Sequence, residues 1–255
     1  DVSNYLMIET GQPIHTFDYD KILGQKMIMR LSKKGETVTT LDGVERKLPG
    51  GDIIITDGSG QLIDLCGIMG AKNSAIDQNT RRVLFFVQAY DPVLIRRTSM
   101  LLGHRTEAAM HFERGIDLEA IPEVVFRGAK LIAQNASGKI AYQLVDIYPR
   151  KKSSKIISLN FAKAVKIINA PLKPEKMIEN LKMLEFKLQK RTKEGAVFLV
   201  PSFRSEDISC QEDLVEEIAR LYGYFNLKSI LPPLPENLTP PPKKPDPDKK
   251  GKFEP

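Results

Sequence analysis

Asp207, Asp213, Glu216 and Glu217 fall in one short window and carry the densest chemistry in the chain. On a helix running from about Glu212 to Tyr222, Asp213 stands three residues before Glu216 and four before Glu217, so the three share a face. Leu214, Ile218 and Leu221 then turn towards a core. Asp207 can fold back from the preceding loop. A hard cation such as Mg²⁺ takes oxygen ligands and keeps some of its waters, so two or three clustered carboxylates suffice to hold it. Acidic residues in a first helical turn also favour the helix dipole, and Glu216 or Glu217 can simply be solvated. Spacing alone leaves both readings open.

Further candidates lie nearer the start. Gly11 to Asp18 sets His15 two residues after Pro13, with Asp18 three residues on; a lone histidine of this kind is more often a hydrogen-bonded structural residue than a catalyst. Gly67-Ile68-Met69-Gly70 is a tight backbone passage that a ligand could approach or that marks a plain turn. Thr106 is followed by the small side chains of Ala108 and Ala109, which leave a cavity or permit close packing. No Ser-His-Asp or Cys-His arrangement stands in a nucleophile motif. Cys66 and Cys210 are far apart and form no CxxC pattern; both are read as reduced packing residues.

These residues need elements to hold them. At 255 residues with 42% hydrophobic content, the chain can fill the cores of two ordinary domains. No apolar run approaches the roughly 20 residues that span a bilayer, and no signal pattern opens the chain, so the expectation is a soluble cytoplasmic protein. A net charge of +6 is modest and compatible with an anionic partner. The chain starts at Asp1 in what reads as the middle of a domain, which suggests an excised piece. The predicted fold class is α+β. Lys26 to Leu31, Gly51 to Thr56 and Arg82 to Ala89 read as strands, the first two flanking an Asp42-Gly43 hairpin turn. Pro92 to Leu102 and Ala120 to Ala136 read as helices, the second capped near Gly138.

The polar stretch Arg150 to Lys155 suggests a boundary between a first domain over residues 1–150 and a second over 155–230. In the second, a helix ending at Ile168, another over Glu175 to Leu184, a two-stranded wing (Phe186 to Lys190 and Ala196 to Val200) and the acidic helix suggest a winged-helix-like unit. Residues 232–255 hold 9 of the 17 prolines and read as an extended linker or tail, 231–255.

Two sets of motifs carry a family likeness. Val200-Pro201-Ser202-Phe203-Arg204 with Asp207-Ile208, then Glu212 to Arg220 and Tyr222-Gly223-Tyr224, resembles the metal-binding module that follows the editing domain in the bacterial phenylalanyl-tRNA synthetase β subunit. Asp1 to Tyr5, Gly11 to Asp18, Leu41-Asp42-Gly43, Gly67 to Gly70 and Phe112 to Asp117 resemble, in that order, the editing domain itself. The resemblance covers about residues 1 to 230 and lacks the family's other modules. It implies Mg²⁺ at Asp207, Asp213, Glu216 and Glu217, shared with an α subunit. It also implies an α₂β₂ enzyme that uses ATP to join phenylalanine to tRNA(Phe), with no membrane or DNA partner.

The same resemblance implies an editing pocket in which His15 and Thr106 orient water or the ester, while Gly70 and Ala108 leave room for the aminoacyl ring. Tyrosine exceeds phenylalanine by one hydroxyl, which an apolar synthetic pocket rejects weakly, so a second hydrolytic site supplies the discrimination. Where the family usually reads that hydroxyl with a glutamate before its Asp-Pro pair, this chain has Phe86. Phenylalanine accepts no hydrogen bond, so the expectation is weak or absent tyrosine editing. Gln88 is a nearby substitute on the same segment. The alternative is a non-catalytic RNA- or protein-binding module that keeps the fold.

Overall fold

The structure is a computed structural model and describes residues 2–141, 144–149 and 151–229. Helix α1 (Val2–Thr10) opens the chain with Leu6 as its buried residue. Eight strands follow: β1 (Ile14–Asp18), β2 (Ile28–Leu31), β3 (Thr37–Thr39), β4 (Glu45–Lys47), β5 (Ile53–Thr56), β6 (Leu62–Leu65), β7 (Met69–Gly70) and β8 (Val83–Val87). They form an antiparallel four-stranded sheet in the order β2-β5-β6-β7, a β1-β8 pair and a β3-β4 hairpin.

The Asp42-Gly43 turn does not act where the sequence suggested. It closes β3-β4, and β2 pairs with β5 around that hairpin. Val38 is the buried residue of β3 and anchors the hairpin to the core, while Gly43 at φ 79° supplies the left-handed backbone the turn needs. Helices α2 (Pro92–Leu101), α3 (Glu107–Phe112) and α4 (Ile121–Asn135) complete this part. The Asp91 carboxylate accepts from the backbone N–H of Val93 and Leu94, and Pro92 fits the first turn, so α2 starts sharply. Gly138 does not cap α4; the helix ends at Asn135 with Ala136 as its C-cap, and Ser137 takes the left-handed conformation at φ 50°.

Beyond the exposed stretch 151–155 come β9 (Ile156–Asn160), α5 (Phe161–Ile168), α6 (Pro174–Met183), β10 (Lys187–Arg191), β11 (Gly195–Leu199) and α7 (Gln211–Tyr222). The expected two-stranded wing is a three-stranded sheet, β10-β11-β9. Ile157 and Leu159 alternate with exposed neighbours along β9, the pattern of a half-buried strand. Asn160 ends that strand and caps α5, its side chain accepting from Lys163 N–H. One apolar core joins these elements, with Met177, Leu181, Phe198, Leu214 and Ile218 near its centre. Cys66 is buried as expected, but Cys210 is exposed at the start of α7 and does not pack; both thiols are free. No helix among the described residues is long and apolar enough to cross a membrane. The proline-rich segment read at 231–255 lies outside the described residues.

Candidate functional site

His15 on β1 faces Phe86 directly across the β1-β8 ladder. Its ring stands edge-on to Phe17 at a centroid distance of 4.4 Å, and Phe17 lies 5.9 Å from Phe86. The imidazole also fills the space a side chain at residue 70 would occupy: a Cβ on Gly70 would lie 2.2 Å from His15 Cε1 and 2.4 Å from Nε2. Only glycine admits that ring. Burial lowers the His15 pKa to about 4, so the ring is neutral at pH 7, and Nε2 has no hydrogen-bond partner.

Thr106 reaches the same backbone passage from α3. Its hydroxyl donates to the Ile68 carbonyl at 2.9 Å and accepts from Ala109 N–H at 3.1 Å, capping the helix. The hydroxyl proton is therefore committed, and Thr106 ties α3 to the strand that carries Gly70. Ala108, two residues on, is half-buried against the core of Ile54, Leu65 and Ile68. Gly67 at φ 69° shapes the passage; a Cβ there would lie 2.8 Å from Ile95 and 3.0 Å from Tyr90. His15, Gly70 and Phe86 are thus in direct register or contact, with Thr106 and Ala108 joined to them through the Ile68 segment.

Of the polar groups beneath them, Gln88 alone stood out in the sequence. Asp64 is buried on β6 directly opposite Gly70, and burial raises its pKa from the usual 3.8 to about 7. Cys66, two residues on, interacts with that carboxyl and is itself raised well above the usual thiol range, chiefly by burial. The Tyr90 hydroxyl lies near Cys66 and Gln88 without hydrogen-bond geometry to either, and Gln88 Oε1 is also unpartnered. Cys66 and the half-buried Phe86 and Tyr90 pack in one apolar cluster with Phe17 and Ile55. Asp64 sits inside an apolar strand pattern, Leu-Ile-Asp-Leu, and a buried acid there is legible only as an exception to it.

The four carboxylates of the second unit are not gathered into a cation site. Glu217 is buried between Arg204 (2.7 Å) and Arg220 (2.5 Å). Burial pushes its carboxyl up, and the two guanidinium groups more than offset that, leaving it below the usual range. Asp207 pairs with Arg204 at 2.7 Å. Asp213 Oδ2 accepts from Ser209 N–H at 2.6 Å and Cys210 N–H at 2.9 Å, closing a capping box at the start of α7. Glu216 points to solvent. Among the described residues no group of three or more His, Cys, Asp or Glu is placed to hold a metal ion. Helical spacing put these residues near one another, but it could not show that arginines and backbone amides already use them. Within this chain, three of the four carboxylates that the resemblance assigns to Mg²⁺ are held by arginines and backbone amides.

Residues 1–137 match the family model of the B3/4 domain, and residues 157–224 match that of the tRNA synthetase B5 domain. The chain belongs to the B3/4 domain family. Curated relatives named phenylalanine–tRNA ligase β subunit carry the same likeness: that of Carboxydothermus hydrogenoformans is 37% identical over 91% of this chain and 29% of its own length. That of Geobacter metallireducens is 39% identical over 91% and 29%. The resemblance to bacterial phenylalanyl-tRNA synthetase β subunits is therefore borne out, over under a third of those relatives' length. The crystal structure of an N-terminal fragment of the β subunit from Pyrococcus horikoshii matches at a TM-score of 0.44 and 16% identity, covering 87% of this chain and 64% of that one. That match is too loose to bear on the site. The B3/4 domain carries His15, Gly70, Phe86, Thr106 and Ala108, and the B5 domain carries the paired carboxylates.

Proposed function

We propose that this chain is the editing and B5 portion of a phenylalanyl-tRNA synthetase β subunit, and that its B3/4 domain hydrolyses tyrosine wrongly esterified to tRNA(Phe). The observation that carries the reading is the neutral His15 imidazole, with Nε2 unpartnered, seated over Gly70. With the ring proton on Nδ1, Nε2 accepts a hydrogen bond from water and aims its oxygen at the ester carbonyl carbon. The new C–O bond forms, the acyl–ribose C–O bond breaks, and the ribose oxygen leaves with a proton, releasing tyrosine and tRNA. Thr106 holds the Ile68 to Gly70 backbone in place for that geometry.

Around this domain the reading places the rest of an α₂β₂ synthetase. The α subunit is the protein partner and tRNA(Phe) the nucleic-acid partner. ATP is a substrate of the whole enzyme, which works in translation in the cytoplasm. No step is assigned to Mg²⁺ at Asp207, Asp213, Glu216 and Glu217: the first, second and fourth carboxylates are engaged within the chain, and Glu216 faces solvent.

Phe86 removes a hydrogen-bond acceptor from β8, so hydrolysis is slow and Phe86→Glu speeds it. The test is deacylation of Tyr-tRNA(Phe) by the native chain, Phe86→Glu and His15→Ala. Activity in the first two and its loss in His15→Ala supports the reading. Inactivity in both the native chain and Phe86→Glu favours a non-catalytic module that keeps the fold.

A further inference from the structure

Asp64 is the buried group that the hydrolytic reading leaves unused. Directly opposed residues in an antiparallel pair carry their side chains on one face, with Cβ atoms about 4.5–5.5 Å apart. Asp64 opposes Gly70 in this way, and His15 occupies the place of the missing Gly70 side chain. The Asp64 side chain and the His15 imidazole therefore lie over the same face of the sheet. That face looks towards Phe17, Phe86 and Tyr90, whose rings pack with Cys66 two residues beyond Asp64.

Most buried polar side-chain atoms find a partner, and each exception calls for a cause. Three exceptions belong to residues around this face: His15 Nε2, opposite Phe86, and Gln88 Oε1 and the Tyr90 hydroxyl, which lie near one another. A carboxyl in an apolar strand is costly to keep and adds nothing to packing. Aromatic walls with a carboxyl beside the histidine suit a ring that carries a hydroxyl.

We infer that Asp64 is a specificity residue, accepting a hydrogen bond from the phenolic hydroxyl of a tyrosyl group whose ring enters beside Phe86. The carboxyl missing from β8 at Phe86 is thus supplied by the facing sheet, from β6. This inference rests on the editing reading for its ligand and concerns recognition, so binding can test it apart from hydrolysis.

The full chain is titrated with 3′-tyrosylamino-3′-deoxyadenosine and its phenylalanyl counterpart, whose amide links resist hydrolysis. The native chain binds the tyrosyl compound more tightly, by roughly tenfold for one buried hydrogen bond. Asp64→Ala brings the ratio of dissociation constants to about one by removing that bond, while affinity for the phenylalanyl compound stays within about twofold. Asp64→Asn keeps an acceptor oxygen at nearly the same size and retains part of the preference, which controls for misfolding of the alanine variant. A tyrosyl preference that survives Asp64→Ala, or that disappears in Gln88→Ala instead, overturns the inference. Failure of the native chain to bind either compound overturns it too. A preference that depends on Asp64 in a chain that hydrolyses no Tyr-tRNA(Phe) sustains the inference and sinks the hydrolytic reading.

Discussion

Burial biases both Asp64 and His15 towards their neutral forms, raising the acid to about 7 and lowering the base to about 4. Their effects on stability have opposite signs. Between about pH 4 and pH 7 the folded chain keeps a proton on Asp64 that the unfolded chain releases, so stability falls as pH rises. Between about pH 4 and pH 6.5 the unfolded chain holds a proton on His15 that the folded chain refuses, so stability rises with pH. The two slopes cancel in large part over the shared window. In Asp64→Asn the His15 slope stands alone, and stability gains up to about 1.4 kcal/mol per pH unit relative to the native profile. His15→Gln reverses that sign. Urea melts at several pH values across the window decide it, and parallel profiles for all three proteins would show that neither group is perturbed.

Arg204 holds the turn before α7 to the helix itself, bonding Asp207 on one side and Glu217 on the other. Removing it leaves the buried Glu217 with Arg220 alone. Arg204→Ala therefore costs about 1–3 kcal/mol, as expected for a buried charged group deprived of a partner. Millimolar Mg²⁺ leaves the native melting temperature unchanged, since a cation would have to displace two arginines from Glu217. A clear Mg²⁺-dependent rise would refute that account. The same helix shows what the sequence could and could not reveal. The spacing of Leu214, Ile218 and Leu221 made α7 legible to within a residue, because amphipathic period is a local property, although only Leu214 and Ile218 are buried and Leu221 is exposed. The fate of its carboxylates depends on Arg204, which lies in another element. The strands β5 and β8 were legible from β-branched and aromatic runs, whereas β9 and α1 were missed, the one beside a lysine-rich stretch and the other nearly without amphipathic pattern. His15, Gly70 and Phe86 were recognised by family likeness; their contact and the part played by Asp64 required the β1-β8 and β6-β7 registers.

The B3/4 and B5 portions have separate apolar cores that share no residue. A polar contact between them is the Ser202 hydroxyl donating to Asp117 at 2.9 Å, and Lys152 of the connecting stretch pairs with Glu206 of the second portion. An exposed ion pair contributes up to about 1 kcal/mol and a single hydrogen bond to a charged group about 1.5–3 kcal/mol, small beside either apolar core. The two portions should therefore unfold as separate cooperative units. Gly70→Ala forces a methyl group against His15, costs about 1–3 kcal/mol by overpacking and lowers only the transition of the first portion. Leu181→Ala empties part of the second core, costs about 2–5 kcal/mol and lowers only the other transition. Calorimetry of the two variants reads this directly. If both variants shift a single common transition, the cores are coupled through more than these contacts, and a disturbance in the B5 portion would then reach the His15 and Asp64 face. If the transitions move independently, hydrolysis and tyrosyl recognition belong to the B3/4 portion alone, and Leu181→Ala leaves both unchanged at temperatures where the first portion stays folded.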